Sequence, residues 1–186
     1  HPRSQVWTLG DAISKSFASN VRCAFSVLQT RAPSVSNAST ELSMTPTAVR
    51  ARASAFTKEA GAIAPDMRVD TLMIDERTDN SRGRLADYLD RHRPTAVFSL
   101  FQKGTLLALA EFRRRGIRCP DDVSLVGFDD AEWMRVTYPS VTAVVQPVER
   151  LADIAFERLL ARVDGQVGAS VSRHEPCVLT TRESLV

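Results

Sequence analysis

The 186-residue sequence lacks any CxxC pair, and its three cysteines (Cys23, Cys119 and Cys177) stand far apart. An odd, sparse set fits a reducing compartment better than a disulfide framework or a zinc site. The three histidines (His1, His92 and His174) fall at an end or in polar stretches without metal-ligand spacing, so no metal and no other cofactor is expected. A Gly-rich phosphate loop, a GxSxG elbow and an HExxH helix are all missing, and with them the commonest signatures of catalysis. No catalytic residue is therefore assigned, and the chain is not expected to be an enzyme. No apolar run reaches the ~18 residues of a membrane span, and the first residues lack the apolar stretch of a signal peptide. No membrane partner and a cytoplasmic location are expected. The net charge of +2 comes from basic residues scattered among acids, which is no nucleic-acid footprint. The densest basic cluster, Arg113-Arg114-Arg115, reads as a solvated helix end, where cations suit the macrodipole.

The patterning that is present points to an α/β fold. From about residue 65 onward, apolar runs alternate with helical periodicity, which predicts a Rossmann-like, mainly parallel sheet. Strands are expected at Val69–Ile74, Thr95–Leu100, Val123–Phe128, Val141–Gln146 and Cys177–Thr181. Helices are expected from Ala48 to Ala60, with Val49, Ala53, Phe56 and Ala60 on one face, and over Arg82–Asp90, with Leu85 and Leu89 inward. A third helix, Gly104–Arg115, has Leu106, Leu107, Leu109 and Ala110 as its apolar side. A fourth, Val148–Val163, carries Leu151, Ala152, Ile154, Ala155 and Leu159 on an apolar face. Before residue 46 the pattern is weaker: a short helix at Asp11–Ala18, a strand at Arg22–Leu28 and a polar loop at Arg31–Thr45.

One stretch carries the chemistry. In Val123-Ser124-Leu125-Val126-Gly127-Phe128-Asp129-Asp130, an apolar strand ends abruptly in a glycine, an aromatic and two carboxylates. Ligands of open α/β sheets bind beyond the carboxyl ends of such strands. Adjacent residues on a strand point to opposite faces, so Asp129 and Asp130 are not expected to share a proton. The polar groups at strand ends (Thr78, Gln102, Asp129 and Gln146) suit reversible recognition of a polyol or similar ligand. Arg52, read from its helix alone, is a solvent-facing arginine. Trp133, Met134 and Tyr138 are types enriched in interface cores, and equally they fit simple core packing.

Four blocks then resemble the lactose/galactose-repressor (LacI/GalR) family of bacterial transcription regulators. They are Pro94-Thr95-Ala96-Val97-Phe98, Gly116 through Asp130, Thr142-Ala143-Val144-Val145-Gln146-Pro147, and Arg182-Glu183-Ser184. The resemblance implies a periplasmic-binding-protein-like type I fold for the effector domain. It implies that residues 1–45 are a poorly matched remnant of the first lobe and that 46–186 are mainly the second lobe. No helix-turn-helix is present, so operator DNA would be met only through an N-terminal domain that this chain does not contain.

The resemblance also assigns residues. Arg52 and Phe56 match the family's Arg-x-x-x-aromatic effector-binding stretch, which reverses the reading of Arg52 as a surface side chain. Asp129 matches the aspartate after Gly-aromatic, and Gln146 the glutamine before proline. Thr78 falls at a turn where relatives carry a pocket aromatic. Where relatives have Asn-Asp after the Pro-Thr-Ala-x-Phe strand, this chain has Phe101-Gln102, and Phe101 is expected to line the pocket with an apolar, stackable face. Losing a hydrogen-bonding group there changes ligand preference. Leu106, Met134 and Tyr138 fall in segments where family members pair as homodimers. The implied function is effector sensing that controls DNA binding allosterically, with a small sugar-like or partly aromatic ligand. The alternative is an exported solute-binding protein that feeds a transporter.

Overall fold

The computed structural model describes residues 23–28, 46–74, 80–166, 168–169 and 174–186. Six strands form one sheet in the order β2-β1-β3-β4-β5-β6. They are β1 (Cys23–Leu28), β2 (Val69–Ile74), β3 (Ala96–Ser99), β4 (Ser124–Phe128), β5 (Thr142–Val145) and β6 (Val178–Thr180). The first five pair in parallel, and β6 runs antiparallel to β5. Helices α1 (Pro46–Ile63), α2 (Ser81–His92), α3 (Gln102–Arg115), α4 (Trp133–Val136) and α5 (Val148–Val163) connect them. The strand order reverses direction at β1, with β2 on one side and β3 on the other. Crevices at such reversals are where open α/β sheets hold ligands.

The position of β1 corrects the expected boundary at residue 45. Cys23–Leu28 pairs with both β2 and β3, so it is an interior strand of this sheet rather than a remnant of another lobe. Its six residues are separated from α1 by a polar stretch, which hid the connection. The expected helix at Asp11–Ala18 and the loop at Arg31–Thr45 lie outside the described residues.

The core follows from side-chain periodicity. Val49, Ala53, Phe56 and Ala60 of α1 and Leu85 and Leu89 of α2 are all buried, as their spacing predicts. In α3 the fully buried residues are Gly104, Thr105, Ala108, Glu111 and Phe112; of the apolar side expected from sequence, Leu107 and Leu109 pack partly against the core while Leu106 is 47% exposed. Glu111 can be buried because Arg114 and Arg115 both bind its carboxylate, and Arg115 also reaches Asp90 of α2. Arg114 and Arg115 therefore both neutralise Glu111 within α3, and Arg115 also braces α2 against α3 through Asp90. In α5 the predicted apolar face is left largely at the surface. Ile154 is its buried residue, while Phe156 is 61% and Leu159 60% exposed.

The Arg-Glu-Ser ending has a structural task. Ser184 is fully buried; its hydroxyl donates to the Leu125 carbonyl at 2.5 Å and accepts the Thr142 N–H at 2.8 Å. Its own carbonyl accepts the Leu125 N–H at 2.7 Å. The Glu183 carboxylate accepts from the backbone N–H and hydroxyl of Ser140. Arg182 donates to the Val141 carbonyl at 2.6 Å and binds Asp130. The segment thus fastens the amino ends of β4 and β5, where the backbone groups would otherwise be buried without partners.

Candidate functional site

Three of the expected side chains meet one step beyond the carboxyl ends of neighbouring strands. Asp129 follows β4, Gln146 follows β5, and Arg52 reaches in from α1 to the carbonyl of Leu100, which follows β3. The Arg52 guanidinium donates to that carbonyl at 3.1 Å and to the Gln146 side-chain oxygen at 3.5 Å. Gln146 in turn donates through Nε2 to the Asp129 carboxylate at 2.5 Å. The guanidinium carbon lies 3.8 Å from the centroid of the Phe128 ring, a cation–π contact. Four residues along α1 from Arg52, Phe56 is buried against Phe98 with ring centroids 5.4 Å apart. That packing aims the Arg52 face of the helix at the strand ends.

The electrostatics are those of a preassembled polar site. Burial lowers the Arg52 pKa, while Asp129 and Cys177 pull it back up. A guanidinium stays charged under all ordinary conditions, so the burial is compensated by its partners. Asp129 is held at φ 65°, a left-handed conformation that aspartate adopts more readily than most residues. Its N–H is fixed by the Val144 carbonyl at 2.9 Å. Arg52 supplies a planar set of donors, Asp129 supplies acceptors, and Gln146 between them supplies one of each. Together they can exchange their mutual hydrogen bonds for those of a ligand bearing hydroxyl, amide or carboxylate groups. Among the described residues, no group of three or more His, Cys, Asp or Glu could hold a metal ion. No helix among them is long and apolar enough to cross a membrane.

A profile described as a periplasmic-binding-protein-like domain matches residues 30–185. The chain belongs to this family. Its curated relatives include a probable opine utilization operon repressor of Rhizobium rhizogenes, 39% identical over 95 residues, covering 50% of this chain and 48% of that protein. Another is the HTH-type transcriptional regulator PtxS of Pseudomonas putida, 34% identical over 108 residues, covering 57% of this chain and 31% of that protein. The chain therefore matches about half or less of the length of these relatives. Among solved structures, a dimeric Lac repressor with an 11-residue C-terminal deletion superposes with a TM-score of 0.69. It is 20% identical, covering 89% of this chain and 56% of that one. A LacI family regulator from Enterococcus faecium with bound ribose gives 0.68 at 19% identity, covering 88% and 56%. At such identities the likeness is one of fold.

The remaining assignments taken from the LacI/GalR pattern fare differently. Phe101 is 7% exposed, and its ring is turned onto the first turn of α3. A Cβ on Gly104 would lie 2.5 Å from Phe101 Cζ and 2.7 Å from Ser99 Oγ, so the missing side chain is what admits the ring. The expectation that Phe101 offers a stackable face to a ligand is corrected accordingly: the ring belongs to the core, and only the adjacent Leu100 carbonyl serves the cluster. Thr78 lies outside the described residues. Asp130 turns away from Asp129 and is held by Arg182 and Arg135. Met134 is fully buried, with its sulfur and methyl 3.3 Å from the position of a Cβ on Gly127. Its assignment to an interface is therefore corrected to core packing beneath β4. Leu106 and Tyr138 remain at the surface, Tyr138 being 97% exposed. Sequence reasoning missed Phe128 as the platform for Arg52. The signal was available, because an aromatic that closes a strand next to a ligand-end residue is placed to stack a guanidinium.

Proposed function

We propose that the chain is the effector-binding part of a cytoplasmic transcription regulator, and that Arg52, Gln146 and Asp129 bind the effector. The observation that carries this reading is the hydrogen-bonded series from Arg52 through Gln146 to Asp129 at the carboxyl ends of β3, β4 and β5. Ligand affinity would draw on donors and acceptors at once, so a compact polar molecule with several hydroxyl or carboxylate groups suits it. The names of the curated relatives, an opine utilization operon repressor among them, favour regulation over transport. In the whole protein, effector binding would shift an equilibrium between two arrangements and so alter operator affinity through a domain beyond this chain.

The surface also suits pairing of two copies. A groove of about 1010 Å³ runs beside α3, lined by Leu106, Leu109, Thr137, Tyr138 and Pro139 with Glu183 at its rim. Exposed apolar and aromatic groups around such a groove favour a homodimer. A Tyr138→Asp or Leu106→Glu exchange should convert the dimer to monomer in sedimentation velocity; a wild-type chain that is monomeric at all concentrations would refute it.

The effector reading is tested by a thermal-shift screen of sugars, sugar acids and opines on the full-length protein. A binder at 100 times its Kd should stabilise by about 2.7 kcal/mol. Arg52→Met and Asp129→Asn should abolish that gain. Undiminished stabilisation in both variants would place the effector elsewhere.

A further inference from the structure

The strand β6 is antiparallel to its neighbour, so it enters the sheet at the edge where β3, β4 and β5 leave it. Val145 pairs with Val178, and continuing that register by one step sets Cys177 across from Gln146. Residues opposite one another in an antiparallel pair present their side chains to the same face. Cys177 is a half-buried free thiol that packs against the edge of the core. Burial raises its pKa, Arg52 pulls it down and Asp129 pushes it up, so the sulfur lies within the field of both charged members of the cluster.

We propose that Cys177 forms the fourth wall of the Arg52–Gln146–Asp129 site, the position on the β6 side from which ligand selectivity is set. A thiol is a small, polarizable and weakly polar surface. It suits the C–H edge of a molecule whose polar edge is read by the other three residues, as in a sugar or an amino-acid conjugate. Selectivity then resides in the space that a cysteine leaves and a larger side chain would fill. This inference rests on the effector reading of the cluster, but its placement is tested without any ligand.

In a chain carrying Cys23→Ser and Cys119→Ser, the Cys177 thiolate is alkylated by neutral iodoacetamide or anionic iodoacetate. In both reactions sulfur displaces iodide to form a thioether. The ratio of the two rates, followed by mass spectrometry, reports the local potential. The iodoacetate-to-iodoacetamide ratio should fall about threefold in Arg52→Met and rise about threefold in Asp129→Asn, as charges at short range dictate. Gln146→Glu keeps the side-chain size and should lower the ratio even if Arg52→Met fails to fold. Ratios unmoved in all three variants overturn the placement. In the second arm, D-ribose, D-gluconate and mannopine are applied to Cys177→Ser and Cys177→Phe. Serine should retain the thermal stabilisation given by any of these probes that binds the parent, and phenylalanine should remove it. Unchanged stabilisation in Cys177→Phe overturns the role in selectivity. Charge-dependent labelling in a protein that no effector stabilises would count against the effector reading and leave the position of Cys177 standing.

Discussion

Replacing Asp130 with alanine should destabilise the fold far more than replacing its neighbour Asp129 with asparagine. The Asp130 side chain is 8% exposed and meets Arg182 at 2.7 and 2.8 Å and Arg135 at 2.9 Å. The Arg182 side chain is 14% exposed, so alanine strands a largely buried guanidinium with the Val141 carbonyl as its near acceptor. Each hydrogen bond to a charged group contributes about 1.5–3 kcal/mol, and the more exposed Arg135 pair at most about 1. Because the contacts share one carboxylate they do not add fully, and a loss of about 3–4 kcal/mol is expected. At about 2–4 °C per kcal/mol, Tm should fall by roughly 6–16 °C. Asparagine at 129 tolerates the left-handed backbone and keeps an acceptor for Gln146, so its cost should stay below about 1 kcal/mol. Urea unfolding at pH 7, followed by circular dichroism and tryptophan fluorescence, gives both values. The division of labour between the two aspartates is refuted if Asp129→Asn costs as much as Asp130→Ala.

Further exchanges probe the packing around the site. Gly104→Ala should cost about 1–3 kcal/mol in the same unfolding assay, since its methyl meets the Phe101 ring and the Ser99 hydroxyl. The smaller Phe101→Leu background should recover part of that loss. Ser184→Ala leaves the Leu125 carbonyl and Thr142 N–H without their partner and should cost about 1–3 kcal/mol, with faster amide exchange at Thr142. The guanidinium of Arg182 holds the Asp130 carboxyl below its ordinary pKa, and the Ser140 backbone N–H does the same for Glu183. Their stabilisation is present above the unfolded values of about 3.9–4.3 and is lost as pH falls through the lower folded ones. An acid titration followed by circular dichroism should show that loss, with a shallower slope in Asp130→Asn.

Much of the site was legible because its residues sit next to strands that read clearly as strands. Asp129 and Gln146 each end an apolar run, so locating the runs located the side chains. Arg52 was legible only through the family pattern, because its helical surroundings alone suit solvent; what recruits it is Phe128 and the Leu100 carbonyl, both distant in sequence. Phe101 and Met134 were misread for a common reason. Each packs into space made by a glycine, Gly104 and Gly127, and hydrophobicity does not reveal which neighbour has left room. The inward side of α3 was misassigned in part because a buried glutamate and threonine are less apolar than Leu106, which faces out. Only the arginines that neutralise Glu111 make that choice sensible.

The fastening of β4 to β5 by Ser184 sets an order of events during synthesis. Its partners Leu125 and Thr142 precede it by 59 and 42 residues. At about 5–20 residues per second, the ribosome leaves those strands waiting for several seconds before the serine exists. Throughout that interval the amino ends of β4 and β5 present unmet backbone groups, the kind of edge that recruits other chains. A nascent chain stalled before Arg182 should therefore be captured by chaperones and digested by proteases far more readily than one in which Ser184 has been added and has cleared the ribosome.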